Sequence, residues 1–209
     1  MVDYLRAGRA NNDLLVTREG SPITIGTIKH LINRELSSAG LEAPIGIIFS
    51  QGRESALPHA EGDDAAELRL GEALSLDLAP REINGYWHDM TRTFAIGYAS
   101  PELQQLYDQV REALERVVAN LTVGERTKTY QDQVCAFFEA RNHPTIGSTY
   151  PLEEGYTHDL GHGIGLEVHE QFLFSAQPGR DDVVVPGVVF TLEPGLYYAN
   201  KGYGVRLAE

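Results

Sequence analysis

The chain has 209 residues, 42% of them apolar, a formal net charge of −13 and a single cysteine, Cys135. So acidic a surface repels a phosphate backbone and excludes nucleic acid as the expected partner, and no apolar run approaches the ~20 residues that cross a bilayer. One cysteine leaves neither an internal disulfide framework nor a cysteine-based zinc site, and its apolar helical setting, QDQVCAFFEA, points to a buried, inert thiol in a reducing cytoplasm.

From the N-terminus, MVDYLRAGRA is too polar for a signal peptide. In TIGTIKHLINREL, Ile25, Ile28, Leu31, Ile32 and Leu36 fall on one helical face, with Gly40 as a stop. PIGIIFS (44–50) reads as a buried strand, and LSLDLAP (74–80) and GYWHDMTRTFAIG (85–97) as two hairpin arms joined by REIN. Ser100-Pro101-Glu102 has the cap, first-position proline and first-turn acid of a helix start. Leu103, Leu106, Val110, Leu114, Val117 and Leu121 continue it as an amphipathic helix. A further helix is predicted over about 128–141, with Val134, Phe137 and Phe138 inward. HDLGHGIGLEVHE, VVPGVVFTLEPGLYY and GYGVRLAE close the chain. REGSPITIGTIKHLINREL and TVGERTKTYQDQVCAFFEAR both run from turn to helix, a weak internal repeat. Two such halves enclosing a central sheet predict an α/β (α+β) fold in a single domain, 1–209.

Acids interrupt the apolar strands. Asp77 lies inside LSLDLAP, where an unpaired carboxylate is costly, and Asp89 sits on the opposing arm of the hairpin. Asp89 could instead pair with Arg92, and Asp77 could cap a turn. Glu193 is embedded in FTLEPGLYY, and His158, His162 and His169 fall within twelve residues flanked by Gly161, Gly163 and Gly165. A lone histidine is more often structural than a ligand, but glycines around three of them let the backbone close on a small site. An oxygen-rich donor set with one nitrogen suits two divalent ions, Mn²⁺ first and Co²⁺, Fe²⁺ or Zn²⁺ as alternatives. Such a pair would polarise a carbonyl and activate water for amide hydrolysis.

LDLAPREINGYWHDMTRTF, HDLGHGIGLEVHE, FTLEPGLYY and GVRLAE, in this order and spacing, resemble the pita-bread metallopeptidases, and DMTRTF with EPGLYY resembles their Xaa-Pro aminopeptidase and prolidase branch. The resemblance runs from about residue 20 to the end. It implies a twisted, mostly antiparallel central sheet flanked by helices and a dinuclear exopeptidase that cleaves the N-terminal bond of short peptides before proline. In that family Asp77, Asp89 and His162 would be metal ligands, with Asp89 bridging. Glu193 would be a ligand that also handles the proton of the attacking water. His59 would be a substrate-side histidine, and His158 and His169 would hold the scissile carbonyl and its oxyanion. Arg206 would brace a ligating aspartate, while His30, His88 and His143 match nothing functional. A homodimer is an open alternative.

Two departures stand out. Asp77 and Asp89 are twelve residues apart where the family has eleven, which the hairpin turn can absorb. More serious, the family's final ligand is a glutamate two places after the arginine. Here that place is Ala208, and Glu209 follows. Glu209 joins the metal ligands only if a β-bulge brings it back to the face of Arg206; otherwise one bridging carboxylate is lost. Read as a complete chain, the sequence has no N-terminal accessory domain and a last strand cut short. The alternative function is a metal-impaired homologue that binds peptides or a protein partner.

Overall fold

The computed structural model describes residues 1–177, 179 and 181–209. A short helix α1 (Val2–Ala7) leads into the antiparallel pair β1 (Arg9–Asn11) and β2 (Leu14–Val16), followed by α2 (Ile25–Ser38). Thr24 caps α2 by accepting the Thr27 amide at 3.2 Å, and Ile25, Ile28, Ile32 and Leu36 form its buried stripe. Next come β3 (Leu41–Glu42), β4 (Ile48–Gln51), β5 (Ala73–Leu78), β6 (Arg81–Glu82) and β7 (Met90–Ala95). The strand expected from residue 44 begins only at Ile48, because the Gly46 amide bonds the Ala43 carbonyl and spends Pro44–Gly46 on a turn.

Strands β4, β5 and β7 form one antiparallel sheet with β5 in the middle. The expected hairpin of β5 and β7 is present, but REIN is not a simple turn: β6 leaves to pair with β3, and Arg81 bridges to Trp87. Helix α3 (Pro101–Asn120) starts as expected, with Ser100 Oγ accepting the Leu103 amide at 3.1 Å. Helix α4 (Thr127–Glu139) buries Tyr130, Gln131, Val134, Cys135 and Phe138. Phe137, expected inward, stands at the rim of the core instead, sandwiched by the guanidinium groups of Arg116 and Arg141 at 5.0 and 3.6 Å from its ring centre.

The remaining strands are β8 (Gly161–Gly163), β9 (Glu170–Phe174), β10 (Gly195–Tyr198) and β11 (Tyr203–Arg206). β8 pairs with β9 and β10 with β11, both antiparallel. Glu-Pro-Gly (193–195) makes no turn: Gly195 enters β10 opposite Arg206, and the Pro194 carbonyl accepts the Leu207 amide. Backbone bonds then join the small sheets side by side. Thr191 and Glu193 amides bond the carbonyls of His162 and Leu160, Leu192 and Glu209 exchange both their bonds, and the Ala208 amide reaches Thr91.

Two apolar clusters flank this assembly. One gathers α2 with Phe49, Leu68, Leu74 and Leu76; the other gathers α3 and α4 with Tyr156, Leu160, Phe174, Leu196 and Val205. This matches the expectation of two halves, each with its own helical layer. No helix among the described residues is long and apolar enough to cross a membrane.

Candidate active site

The acids and histidines singled out in the sequence meet where these sheets join. A cavity of about 530 Å³ is lined by Asp77, Asp89, His162, His169, Glu193 and Arg206, with His59 and His158 also on its wall. Strand parity places the two aspartates. Asp77 stands opposite Thr91 in the β5–β7 ladder, and Asp89 lies two residues before Thr91, so both side chains project from one face as diagonal neighbours. They are not directly opposite, which relieves part of the like-charge repulsion.

His162 is the centre of the acidic group. It is 7% exposed and sits in β8, which can lie against residues 191–193 because position 161 is glycine; a Cβ there would collide with the Thr191 carbonyl. The His162 Nδ1–H donates to the Gly163 carbonyl at 3.0 Å. This directs Nε2 at Glu193 Oε1, 3.2 Å away, and Asp89 Oδ2, 3.5 Å away. Burial alone would lower the His162 pKa, yet hydrogen bonding to Asp89 and Glu193 outweighs it and raises the value to about 10. For Glu193, burial works to raise the carboxyl. The hydrogen bond from His162, with the charges of His162 and Arg206, wins and holds it below the usual carboxylate range.

Arg206, 4% exposed, organises the other side. Its Nε donates to Thr91 Oγ1 (3.1 Å), one terminal nitrogen to the Pro58 carbonyl (3.1 Å) and the Tyr197 hydroxyl (3.0 Å), and the other to Asp77 Oδ2. The expected brace on a ligand aspartate is therefore drawn between Arg206 and Asp77. Burial pushes the Asp77 carboxyl up, opposed by Arg206 and reinforced by Asp89 and Glu193.

His158 is placed differently from its expected role. Its Nδ1–H donates to the Asp159 carbonyl (2.8 Å), and Nε2 accepts the Tyr197 hydroxyl proton (2.8 Å). Both ring nitrogens are thus taken, and burial keeps the ring neutral by lowering its pKa. No N–H remains to hold a substrate carbonyl, so His158 supports the site through Tyr197 and Arg206. Tyr197 itself was missed in the sequence; the only cue was a tyrosine two residues into the strand after Pro194. His169 keeps the expected freedom. It packs edge-on against His162, ring centres 4.4 Å apart, and its nitrogens meet no protein hydrogen-bond partner among the described residues. His59 is exposed at the cavity mouth, next to the Pro58 carbonyl that Arg206 holds. His88 pairs with Glu82 and His143 with Tyr198 and Gln109, both away from the cavity.

Glu209 does not join the acids. The amides of residues 206–209 bond alternately to Thr93 Oγ1, the Pro194 carbonyl, the Thr91 carbonyl and the Leu192 carbonyl. The amides thus alternate between the two flanking segments past the end of β11, with no residue skipped. Ala208, 1% exposed, therefore shares the face of Arg206, while Glu209 emerges on the opposite side and takes Arg92 Nη2 at 2.8 Å.

Among the described residues, no three His, Cys, Asp or Glu side chains already stand as a ligand cluster. The donor chemistry nevertheless fits a single divalent cation. The 3.2 and 3.5 Å separations at His162 Nε2 are those of donors sharing an ion at about 2.0–2.2 Å from each, and two carboxylates plus an imidazole suit a hard or borderline metal.

Known proteins match the chain over most of its length. The pattern described as "Metallopeptidase family M24" matches residues 15–209. The chain is 33% identical to the Xaa-Pro dipeptidase of Pyrococcus furiosus over 171 residues, 81% of this chain and 45% of that protein. It is also 33% identical to the probable dipeptidase PepE of Mycobacterium bovis over 163 residues, 78% of this chain and 40% of that one. The solved prolidase from Pyrococcus furiosus superposes with a TM-score of 0.78 at 28% identity, covering 90% of this chain and 52% of that one. The X-Pro aminopeptidase from Thermotoga maritima gives 0.77 at 31% identity, over 90% and 50%. The chain thus spans about half the length of these relatives and has their pita-bread fold.

Proposed function

Because the chain belongs to metallopeptidase family M24, we propose that it is a divalent-metal-dependent exopeptidase that hydrolyses the N-terminal bond of short peptides, with Xaa-Pro as the preferred site. The observation that carries this reading is the convergence of Glu193 and Asp89 on His162 Nε2 within the cavity that His59 and His169 also line. The Xaa-Pro preference rests on likeness to the prolidase and X-Pro aminopeptidase named above.

His162, Glu193 and Asp89 would hold the metal, which when bound supplies Lewis-acid polarisation and a water of lowered pKa. The chain's own groups do the rest. Glu193, whose carboxyl lies below the usual carboxylate range, is the base placed to accept a proton from the attacking water. His169, with unengaged ring nitrogens, can donate to the oxyanion as the carbonyl becomes tetrahedral. His59 meets the peptide at the entrance of the cavity. Tyr197 and Arg206 hold Asp77 and His158 in place without touching the scissile bond.

The test is metal analysis of the purified chain together with cleavage of Xaa-Pro dipeptides and tripeptides after Mn²⁺ addition. Metal-stimulated release of the first residue is expected. Protein that neither binds Mn²⁺ nor cleaves, yet retains peptides, would replace this reading with that of a binding module.

A further inference from the structure

We infer that the cavity takes one divalent cation per chain, on His162, Glu193 and Asp89, and not the pair that the sequence leads one to expect; this rests on the metallopeptidase reading above. Three placements carry it. Asp77 is engaged through one oxygen: its Oδ2 accepts from the Arg206 guanidinium, which three further hydrogen bonds lock in a buried position and which offsets the Asp77 charge. The side chain on the face of Arg206 where a further carboxylate could reach the cavity is the methyl of Ala208, buried at 1% exposure. And the carboxylate next along the chain, Glu209, is turned away from the cavity, its amide and those of residues 206–208 bonding alternately to the two flanking segments, and is engaged by Arg92.

Charge points the same way. The three carboxylates that contact His162 or Arg206 carry three negative charges, and Arg206 with one divalent ion balances them. A second ion would leave two positive charges uncompensated in a partly buried cavity, where unpaired charge is costly. Ala208 removes the carboxylate that would offset part of that excess and bridge the ions, so the second position has neither the ligand nor the charge to hold a cation.

Equilibrium titration of the chelator-treated chain with Mn²⁺, read by calorimetry and by the EPR spectrum of the bound ion, tests this without reference to turnover. The expected result is one ion per chain with an uncoupled Mn²⁺ spectrum. Two ions with exchange coupling would overturn the inference and leave the peptidase reading standing, whereas no bound ion would overturn the peptidase reading itself. Ala208→Glu is expected to raise the stoichiometry to two; a folded Ala208→Glu chain that still binds one would overturn the role given to Ala208. Glu209→Gln, at an exposed position, is expected to leave one ion bound with its affinity changed less than about twofold, and loss of the ion would overturn the placement of Glu209.

Discussion

At the scale of single residues, the site is a set of charges kept in place by hydrogen-bonded partners. Glu193 shows the pattern: burial would protonate it, and a hydrogen bond from His162 keeps it ionised. Glu193→Gln keeps the shape and removes the base. A loss of about 10²–10⁴-fold in kcat with an unchanged circular dichroism spectrum is expected, and activity within a few-fold of the parent would contradict the assignment. Tyr197→Phe strips the hydroxyl that links Arg206 to His158, leaving a buried imidazole nitrogen and a buried N–H without their partner. Urea denaturation should show a loss of about 1–3 kcal/mol; a neutral result would mean that neighbouring groups or water replace the hydroxyl. Which residues matter was partly legible in advance. Asp77, Asp89, His162 and Glu193 announce themselves as polar groups inside apolar strands. Glu209 was expected among the metal ligands by way of a β-bulge, but the amides of residues 206–209 alternate without one and the side chain pairs with Arg92 instead. His158 could not be read this way, because its engagement depends on Tyr197, 39 residues further on.

At the scale of elements, periodicity and caps located the helices, and side-chain chemistry set the strand limits less well. Helices α2 and α3 begin where Thr24 and Ser100 cap them, since those hydroxyls satisfy amides the helix cannot. The strand expected from Pro44 was shortened by a Gly46 turn, and Pro194-Gly195, a dipeptide that favours turns, leads straight into β10, because tertiary pairing of Gly195 with Arg206 overrides its local preference. Phe137 and Phe138 are adjacent on α4, yet only one can face inward. Phe138, fully buried, packs edge-on against Tyr156, the start of the segment that carries His158 and His162. Phe138→Ala is expected to cost about 3–5 kcal/mol in chemical denaturation. A cost below about 1 kcal/mol would mean that α4 does not anchor the histidine segment.

For the whole molecule, burial of phenols gives a stability limit on the alkaline side. Burial raises the hydroxyl pKa of Tyr156, Tyr197, Tyr198 and Tyr203, that of Tyr198 to about 12. An unfolded chain releases these protons near pH 10. The folded state keeps them longer, so their contribution is complete below about pH 10 and is lost as pH rises through the folded values. Above about pH 10 the urea midpoint should fall steadily towards pH 12; a flat midpoint from about pH 10 to 12 would refute the linkage.

The run Arg206–Glu209 has one more consequence. Its successive amides are fastened by turns to Thr93 and Thr91 of the first half and to Pro194 and Leu192 of the second. It works as a zip between two lobes that are far apart in sequence. Without Arg206, α2 and α3 can pack but Asp77 has no guanidinium, so the wall of the cavity is complete only when the lobes are laced together.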